Sequence, residues 1–138
     1  MGKQSAGARL GAPATDVKGR IVIQESQRTQ LDSLIGAWQR GDALHAVAHF
    51  TAEATYREAG REPVVGRDAI LAHFTRFFRD GPEWEFMVDE CLIVGRRGAV
   101  VYRFRLKGRT GDWLERAGCA IVTFDDDGAI SQWREYEG

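Results

Sequence analysis

The spacing of the apolar residues changes once along this chain, from a helical period to a period of two. Between Leu31 and Trp38 the apolar side chains recur three and four residues apart, which predicts a helix from about Glu25 to Gly41. From Trp84 onward apolar and polar residues alternate, which predicts strands over residues 84–94, 98–107, 113–124 and 129–137. Helices followed by a run of antiparallel strands indicate an α+β fold.

The rest of the first half completes the helical layer. Asp42 is placed to cap a second short helix, and a third helix is expected from Arg67 or Asp68 to Asp80, with a strand over residues 54–58 between them. A twisted, mostly antiparallel sheet that curls around three N-terminal helices forms a cone-shaped roll, open at one end as a ligand pocket.

The N-terminal segment lacks this periodicity. Residues 1–20 are rich in Gly and Ala and are expected to be a flexible arm, followed by a single domain over residues 21–138. Residues 21–23, Ile-Val-Ile, are interpreted as a short strand or as an arm that packs on a neighbour.

The composition excludes several classes of protein. The formal net charge is −1, so bulk electrostatics favour neither nucleic acid nor an anionic membrane as a partner. No apolar run approaches the ~20 residues of a membrane helix, and there is no apolar signal core, so a cytoplasmic location is expected. Cys91 and Cys119 are expected to be buried free thiols. His45 and His49 are one helical turn apart without a third ligand nearby, so neither a metal nor a cofactor is expected.

Over about residues 25–138 the chain resembles the nuclear transport factor 2-like superfamily, in particular its SnoaL-like branch. The segments that carry the resemblance are Trp38–Asp42, His49–Tyr56, Val65–Ile70 with Phe74, and Ile130–Tyr136. The resemblance implies the cystatin-like form of the cone. It is less specific for activity, because the superfamily includes isomerases, dehydratases, epoxide hydrolases, cyclases and non-catalytic members.

Three motifs of limonene epoxide hydrolases have counterparts in this chain. Those enzymes use a Tyr-x-Asn pair, an Arg-x-Asp pair and a Trp-Arg-Asp-Tyr motif. Residues 56–58, 103–105 and 133–136 are similar to these, with Glu58 for the Asn, Arg105 for the acid–base Asp and Glu135 for the last Asp. In ketosteroid isomerases the general base is an Asp at the place where Glu58 stands.

Strand parity predicts which of these side chains meet, because residues two apart share a face of a sheet. Three groups share a face on this basis: Tyr56 with Glu58, Arg103 with Arg105 and Val101, and Trp133 with Glu135. The resemblance implies that all three faces are concave. The candidate catalytic residues are then Tyr56, Glu58, Arg103 and Glu135.

Each of these four residues has an expected role. Buried and unpaired, Glu58 is expected to have a raised pKa and to act as the base, and Tyr56 is expected to donate to a developing oxyanion. Glu135 has two alternatives. Desolvation beside Trp133 makes it a proton carrier, whereas an ion pair with Arg103 keeps it ionised as a polarising group.

The apolar part of the pocket is expected to contain five substrate-binding residues, which are Trp38, Phe74, Phe78, Val101 and Trp133. The opposite face of the sheet is then expected to carry Tyr102, Phe104 and Leu106 with Val100. That face is too apolar for solvent, which predicts a homodimer formed through it.

The sequence therefore predicts a pocket protein for a small hydrophobic molecule, leaning towards a cofactor-free acid–base isomerase, cyclase, dehydratase or hydrolase. The alternative is a non-catalytic module for ligand binding or dimerisation, in which Arg103 or Arg105 engages Glu58. A third hypothesis, a protein-interaction domain of the transport-factor kind, predicts aromatic side chains that fill the cone.

Overall fold

The computed structural model describes the backbone of residues 12–138 and the side chains of residues 25–138. The helices are α1 (Ala12–Gln39), α2 (Ala43–Val47) and α3 (Arg67–Asp80). The strands are β1 (Phe50–Arg57), β2 (Val64–Val65), β3 (Trp84–Val94), β4 (Arg97–Lys107), β5 (Trp113–Phe124) and β6 (Ile130–Glu137). The α+β prediction is confirmed, and β3 and β5 have the predicted bounds.

The junction between α1 and α2 follows from local chemistry. Gly41 adopts a left-handed conformation with φ of 68° after α1 ends, which a residue without Cβ accepts at little cost. Asp42 then caps α2, since its Oδ1 accepts the backbone N–H of His45 at 3.1 Å. The predicted cap is confirmed.

The start of α1 differs from the expectation. The helix begins at Ala12, so residues 21–23 lie within it and the expected short strand there is wrong. Residues 12–20, expected to be an arm, are helical as well, and residues 1–11 of that arm lie outside the described residues. The proline at position 13 falls in the first helical turn, where a missing N–H costs nothing, which is why it does not prevent the helix.

A single curved sheet contains all six strands in the order β2-β1-β6-β5-β4-β3. β1 runs parallel to β6 and every other pair is antiparallel. The pairing of β3 with β4 shifts by one residue between Val88 and Glu90, and such a bulge increases local twist and bending. Similar shifts occur in the β1–β6 and β5–β6 pairs, so these irregularities contribute to the curvature of the sheet.

The concave face of the sheet packs against α1 and α3 to form the core. Trp38 is 5% exposed, and its ring contacts those of Phe74, Phe86 and Trp133 edge to face, with centroids 5.7, 5.6 and 5.1 Å away. Edge-to-face contacts suit the ring quadrupoles and add to the burial of apolar area. The core thus has an aromatic centre that joins both helices to the sheet.

The parity predicted for β4 is wrong. Tyr102 is buried and Phe104 packs against the core, so the aromatic series points inward and Arg103 points outward. The reason is that the concave side of a curved sheet is the core side, which the apolar residues of β4 must face. The surface proposed for a dimer from Tyr102, Phe104, Leu106 and Val100 is consequently inside the molecule.

β3 is the last strand of the sheet, and side chains of α1 reach its outer edge. Gln39 Nε2 donates to the Phe86 carbonyl at 3.1 Å, and an Arg28 guanidinium nitrogen donates to the Cys91 carbonyl at 3.3 Å. Cys91 and Cys119 are half-buried free thiols. Within residues 12–138, no helix has the length and apolar character needed to cross a bilayer.

Candidate functional site

A cavity of about 400 Å³ lies between α3, the end of α1 and the concave face of the sheet. Nearly half of its lining residues are aromatic, namely Trp38, Tyr56, Phe74, Phe77, Phe78, Trp84, Phe86, Tyr102 and Phe104. The exposed side chains of Arg61, Arg76 and Asp80 lie at its mouth. A volume of this size and lining is typical of sites for small, largely apolar molecules.

Three carboxylic acids interrupt the apolar wall. Glu58 follows the end of β1, and Glu135 and Glu137 lie two residues apart on β6, so both project from its concave face. Polar groups that converge in a mostly apolar cavity are the features that orient a ligand or react with it.

Glu58 is held by neighbours that favour its charged form. Its Oε2 is 3.0 Å from Nε2 of His73 and accepts the Tyr56 hydroxyl at 3.3 Å, and Arg61 Nε lies 3.7 Å from its Oε1. An ionised carboxylate only accepts hydrogen bonds, so the Nε2–H of His73 is the donor. Burial on its own raises the pKa of Glu58, but these groups outweigh it and the pKa lies below its ordinary value.

Glu135 has the opposite electrostatic environment. Its Oε2 accepts the indole N–H of Trp133 at 2.9 Å, and the backbone of Ala59 also hydrogen-bonds to it. Burial dominates, the charges of Glu58 and Glu137 add to it, and together they raise the pKa of Glu135 to about 7. Its carboxyl group is therefore about half protonated at neutral pH, as the desolvation argument predicted.

The Tyr56 hydroxyl lies between these two acids. Burial, followed by the charges of Glu135 and Glu58, raises its pKa well above the ordinary value. Tyr56 therefore stays protonated across the physiological range and acts as a hydrogen-bond donor.

The raised pKa of Glu135 makes stability depend on pH. The folded chain retains this proton between the ordinary value of 4.5 and about 7, a range in which the unfolded chain has released it. Its contribution to the free energy of unfolding is therefore complete below pH 4.5 and falls by roughly 3 kcal/mol as the pH rises through 7.

We expect Glu135→Gln, which has no charge to bury, to be more stable than the parent at pH 8 but not at pH 4. Urea denaturation of both proteins at the two pH values measures this, and an equal difference at both would contradict it.

Residues 31–133 match the family model described as SnoaL-like domain. The chain belongs to the SnoaL-like domain family. A comparison with curated protein sequences finds no match. The predicted family and fold are confirmed.

Solved structures share the fold of this SnoaL-like domain at low sequence identity. The epoxide hydrolase/cyclase-like enzyme SalBIII, from pyran ring formation in the polyether salinomycin, is 17% identical, with a TM-score of 0.71 over 83% of this chain and 92% of that one. An LEH-like epoxide hydrolase of M. tuberculosis is also 17% identical, with a TM-score of 0.72 over 83% and 84%. An NTF2-like protein of unknown function from Burkholderia pseudomallei is 15% identical, with a TM-score of 0.71 over 82% and 91%.

The SnoaL-like domain brings together most of the residues singled out from the sequence. Tyr56, Glu58 and Glu135 line the cavity, and so do Trp38, Phe74 and Phe78. Trp133 is fully buried behind the cavity, where it packs on Trp38 and donates to Glu135. The expectation that Glu58 is unpaired with a raised pKa is wrong, because His73, Tyr56 and Arg61 engage it and its pKa is lowered. The catalytic roles of these residues stay predictions.

Arg103 and Val101 lie outside the cavity, on the convex face of β4. Arg103 forms hydrogen bonds of 2.9–3.1 Å with both carboxylate oxygens of Asp89. Arg105 donates to Glu85 at 2.7 Å. Because neither guanidinium reaches the cavity, the expected Glu135–Arg103 pair is wrong, and so is the placement of Val101 in the pocket.

Three polar residues inside the cavity, His73, Tyr102 and Glu137, are absent from the predicted site. His73 lies next to Phe74 on α3, yet it faces Glu58, because the cavity lies beside α3 and not directly beneath its apolar stripe. Tyr102 was not predicted in the cavity because the sequence analysis assigned it to the opposite face of β4. Glu137 could have been predicted from the sequence, since it lies two residues after Glu135 and residues two apart on a strand share a face.

The site contains no cluster suited to a metal. In residues 25–138, no group of three or more His, Cys, Asp and Glu side chains is arranged to hold an ion. The His49 ring hydrogen-bonds to Gln30 and stacks on His45, with centroids 5.7 Å apart.

Proposed function

We propose that this SnoaL-like domain is an enzyme that performs cofactor-free acid–base chemistry on a small, largely apolar molecule. The observation that carries the proposal is that two carboxylic acids in one cavity have opposite surroundings. Glu58 contacts His73 and Tyr56, whereas Glu135 is buried beside Trp133, and their pKa values are displaced in opposite directions. Environments that separate two such groups assign one as the base and the other as the acid. Isomerisation, cyclisation, dehydration and hydrolysis all use this pairing.

Glu58 is the base in this proposal. It is ionised, and the Nε2–H of His73 and the hydroxyl of Tyr56 fix its orientation. It takes a proton from a carbon acid or from a water molecule placed beside it. The imidazole and the phenol both donate to its Oε2, so Oε1 is the oxygen that accepts the proton.

Glu135 is the acid. About half protonated at neutral pH, it gives its proton to an oxygen of the substrate, such as a carbonyl, hydroxyl or epoxide oxygen. One proton enters Glu58 and one leaves Glu135, so the protein keeps its net charge across the reaction. Proton transfer between the two acids, directly or through water, restores the starting state.

The cavity supports a substrate class. Its aromatic wall favours a molecule with an apolar body, and a volume of about 400 Å³ limits that molecule to a compact size. An LEH-like epoxide hydrolase and an epoxide hydrolase/cyclase-like enzyme share the fold. Small epoxides and hydroxy ketones are therefore the first compounds to test.

The alternative is a SnoaL-like domain that binds a ligand without turnover. Its distinguishing feature was a closed or fully paired cavity in which Arg103 or Arg105 engages Glu58. The cavity is open and both arginines pair with other acids on the convex face, although His73 and Arg61 engage Glu58 instead. An interaction domain was expected to have a cone filled by aromatic side chains. The cone of this domain contains an open cavity instead. These features support the enzyme. Dimer formation and a cytoplasmic location stay predictions from the sequence.

Turnover of a compound panel tests the proposal. Small epoxides, β-hydroxy ketones and β,γ-unsaturated ketones are incubated with the protein in D₂O, and products and deuterium incorporation are followed by NMR and mass spectrometry. We expect Glu58→Gln to lower kcat by about 100-fold, the scale of general acid–base catalysis. The matched control is Glu53→Gln, an exposed acid on the same strand, which should keep the parent rate.

Two outcomes would count against an enzyme. One is ligand binding, seen as a thermal shift with panel members, without conversion of any of them. The other is a Glu58→Gln protein that retains full turnover.

A further inference from the structure

Tyr102, Gly118 and Glu137 form one row across three neighbouring strands. Gly118 on β5 lies opposite Tyr102 on β4 and opposite Glu137 on β6. The hydroxyl of Tyr102 nevertheless donates to Glu137 Oε2 at 3.0 Å, across the intervening strand. The contact therefore depends on what occupies the middle position.

Gly118 leaves the space that this contact needs. A Cβ placed there would lie 2.6 Å from the Tyr136 carbonyl oxygen, 2.7 Å from the Tyr102 hydroxyl oxygen and 2.8 Å from Glu137 Cγ. Any larger residue would therefore have to displace the backbone of β6 as well as the phenol and the carboxylate. The row is thus arranged to hold the Glu137 carboxylate on the cavity side of the sheet, close to Glu135.

The charge of Glu137 is poorly compensated. Its side chain is 18% exposed, and Arg116, the cation beside it, is 61% exposed and 3.8 Å from its Oε1. An exposed guanidinium at that distance is screened by solvent and contributes little. The negative charge of Glu137 therefore acts on Glu135, which lies two residues away on the same face of β6.

The other titratable and charged groups around Glu135 come from several elements. Tyr56 and Glu58 face the cavity from β1 and its end, Tyr102 from β4, Arg116 from β5 and His73 from α3. Arg61, Arg76 and Asp80 are exposed at the mouth. Glu58 and Glu137 each have one exposed guanidinium nearby, Arg61 at 3.7 Å and Arg116 at 3.8 Å. Both negative charges therefore bear on Glu135.

We propose that Glu137, held by Tyr102 across Gly118, is a positioning residue that keeps Glu135 in its proton-donating form. The inference rests on the proposed function, in which Glu135 is the acid. Burial is the largest cause of the raised pKa of Glu135, and the charges of Glu58 and then Glu137 add to it. A protonated Glu135 beside a fixed negative charge favours an uncharged oxygen in the substrate and disfavours a carboxylate there.

The titration of Glu135 can be followed without any substrate. Protein labelled with ¹³C at glutamate carboxyl carbons is titrated by NMR, and the Glu135 signal is assigned by its loss in Glu135→Gln. We expect Glu137→Gln to lower the Glu135 midpoint by about 0.5 pH unit or more, the effect of removing one nearby unit charge. Glu137→Asp keeps the charge and should retain most of the parent midpoint. Glu115→Gln, which removes an acid from the convex face of β5 beside Arg105, should leave the midpoint unchanged.

The outcomes separate this inference from the proposed function. If the midpoint is the same in Glu137→Gln and the parent, Glu137 does not position the acid, even where Glu135→Gln abolishes turnover. If the midpoint moves but Glu135→Gln retains turnover, the positioning stands and Glu135 is not the acid. Where a substrate is available, the alkaline limb of the pH–rate profile should move to lower pH in Glu137→Gln and stay in place in Glu115→Gln.

Discussion

Glu135→Gln is expected to lower turnover by about 10²–10⁴-fold, the range over which a positioned proton donor accelerates a reaction. The amide has nearly the same size and can still accept the indole N–H of Trp133, which donates to this side chain at 2.9 Å. It has no proton of suitable acidity to give. The cavity should keep its shape, so kcat should fall far more than the affinity for substrate.

Two measurements make this test specific. Glu90→Gln removes an exposed acid of β3 and should leave kcat unchanged. The Glu135→Gln protein should also be more stable than the parent at pH 8, so a loss of activity cannot come from unfolding. Parent-level kcat in Glu135→Gln would show that the acid is another group.

Trp38→Ala is expected to have the largest effect on stability, about 3–5 kcal/mol of the free energy of unfolding. The indole is almost completely buried, and its ring meets the rings of Tyr56, Phe74, Phe86 and Trp133. Truncation leaves a void that joins the ligand cavity and removes an anchor between α1 and the sheet. Such a loss is a large share of the stability of a domain of this size.

Two further variants show whether burial of an aromatic ring at this position accounts for the loss of stability in Trp38→Ala. Among the side chains of residues 25–138, the indole N–H of Trp38 has no hydrogen-bond partner, so Trp38→Phe should lose much less than Trp38→Ala. Trp113→Ala removes an indole that is 37% exposed on the convex face, under the guanidinium of Arg105, and should cost less than about 1 kcal/mol. Urea denaturation measures all three, and a Trp38→Ala protein within 1 kcal/mol of the parent would contradict the expectation.

The sequence was sufficient to predict the order and type of the elements from α2 onward except for the two-residue strand β2, and β1 begins four residues before its predicted start. Alternation is strong in the last four strands, and glycine or aspartate turns separate them, so their bounds agree with the structure to within a residue or so. The start of α1 could not be predicted from the spacing of apolar residues. Residues 12–24 have no apolar stripe, so nothing in their pattern distinguishes a helix from an arm.

The face of the sheet on which each β4 side chain lies could not be predicted from alternation alone. Residues 101–106 alternate cleanly, but alternation says only that Arg103 and Tyr102 face opposite sides, and the likeness to an Arg-x-Asp motif favoured the wrong one. Burial decides the matter, because the curved sheet needs its bulky rings inside. The same reasoning recovers Glu137, whereas His73 depends on where the cavity lies relative to α3, a tertiary feature.

The side chains of α1 that reach the outer edge of β3 affect how copies of this protein can associate. A terminal strand with unpaired carbonyls is a template for another chain, and aggregation often begins there. Gln39 and Arg28 donate hydrogen bonds to two of those carbonyls and hold α1 against the edge of β3. At the opposite border β2 has only two residues, too few to recruit a strand. Pairing of another chain with β3 at these positions would therefore require the side chains of α1 to release its edge first.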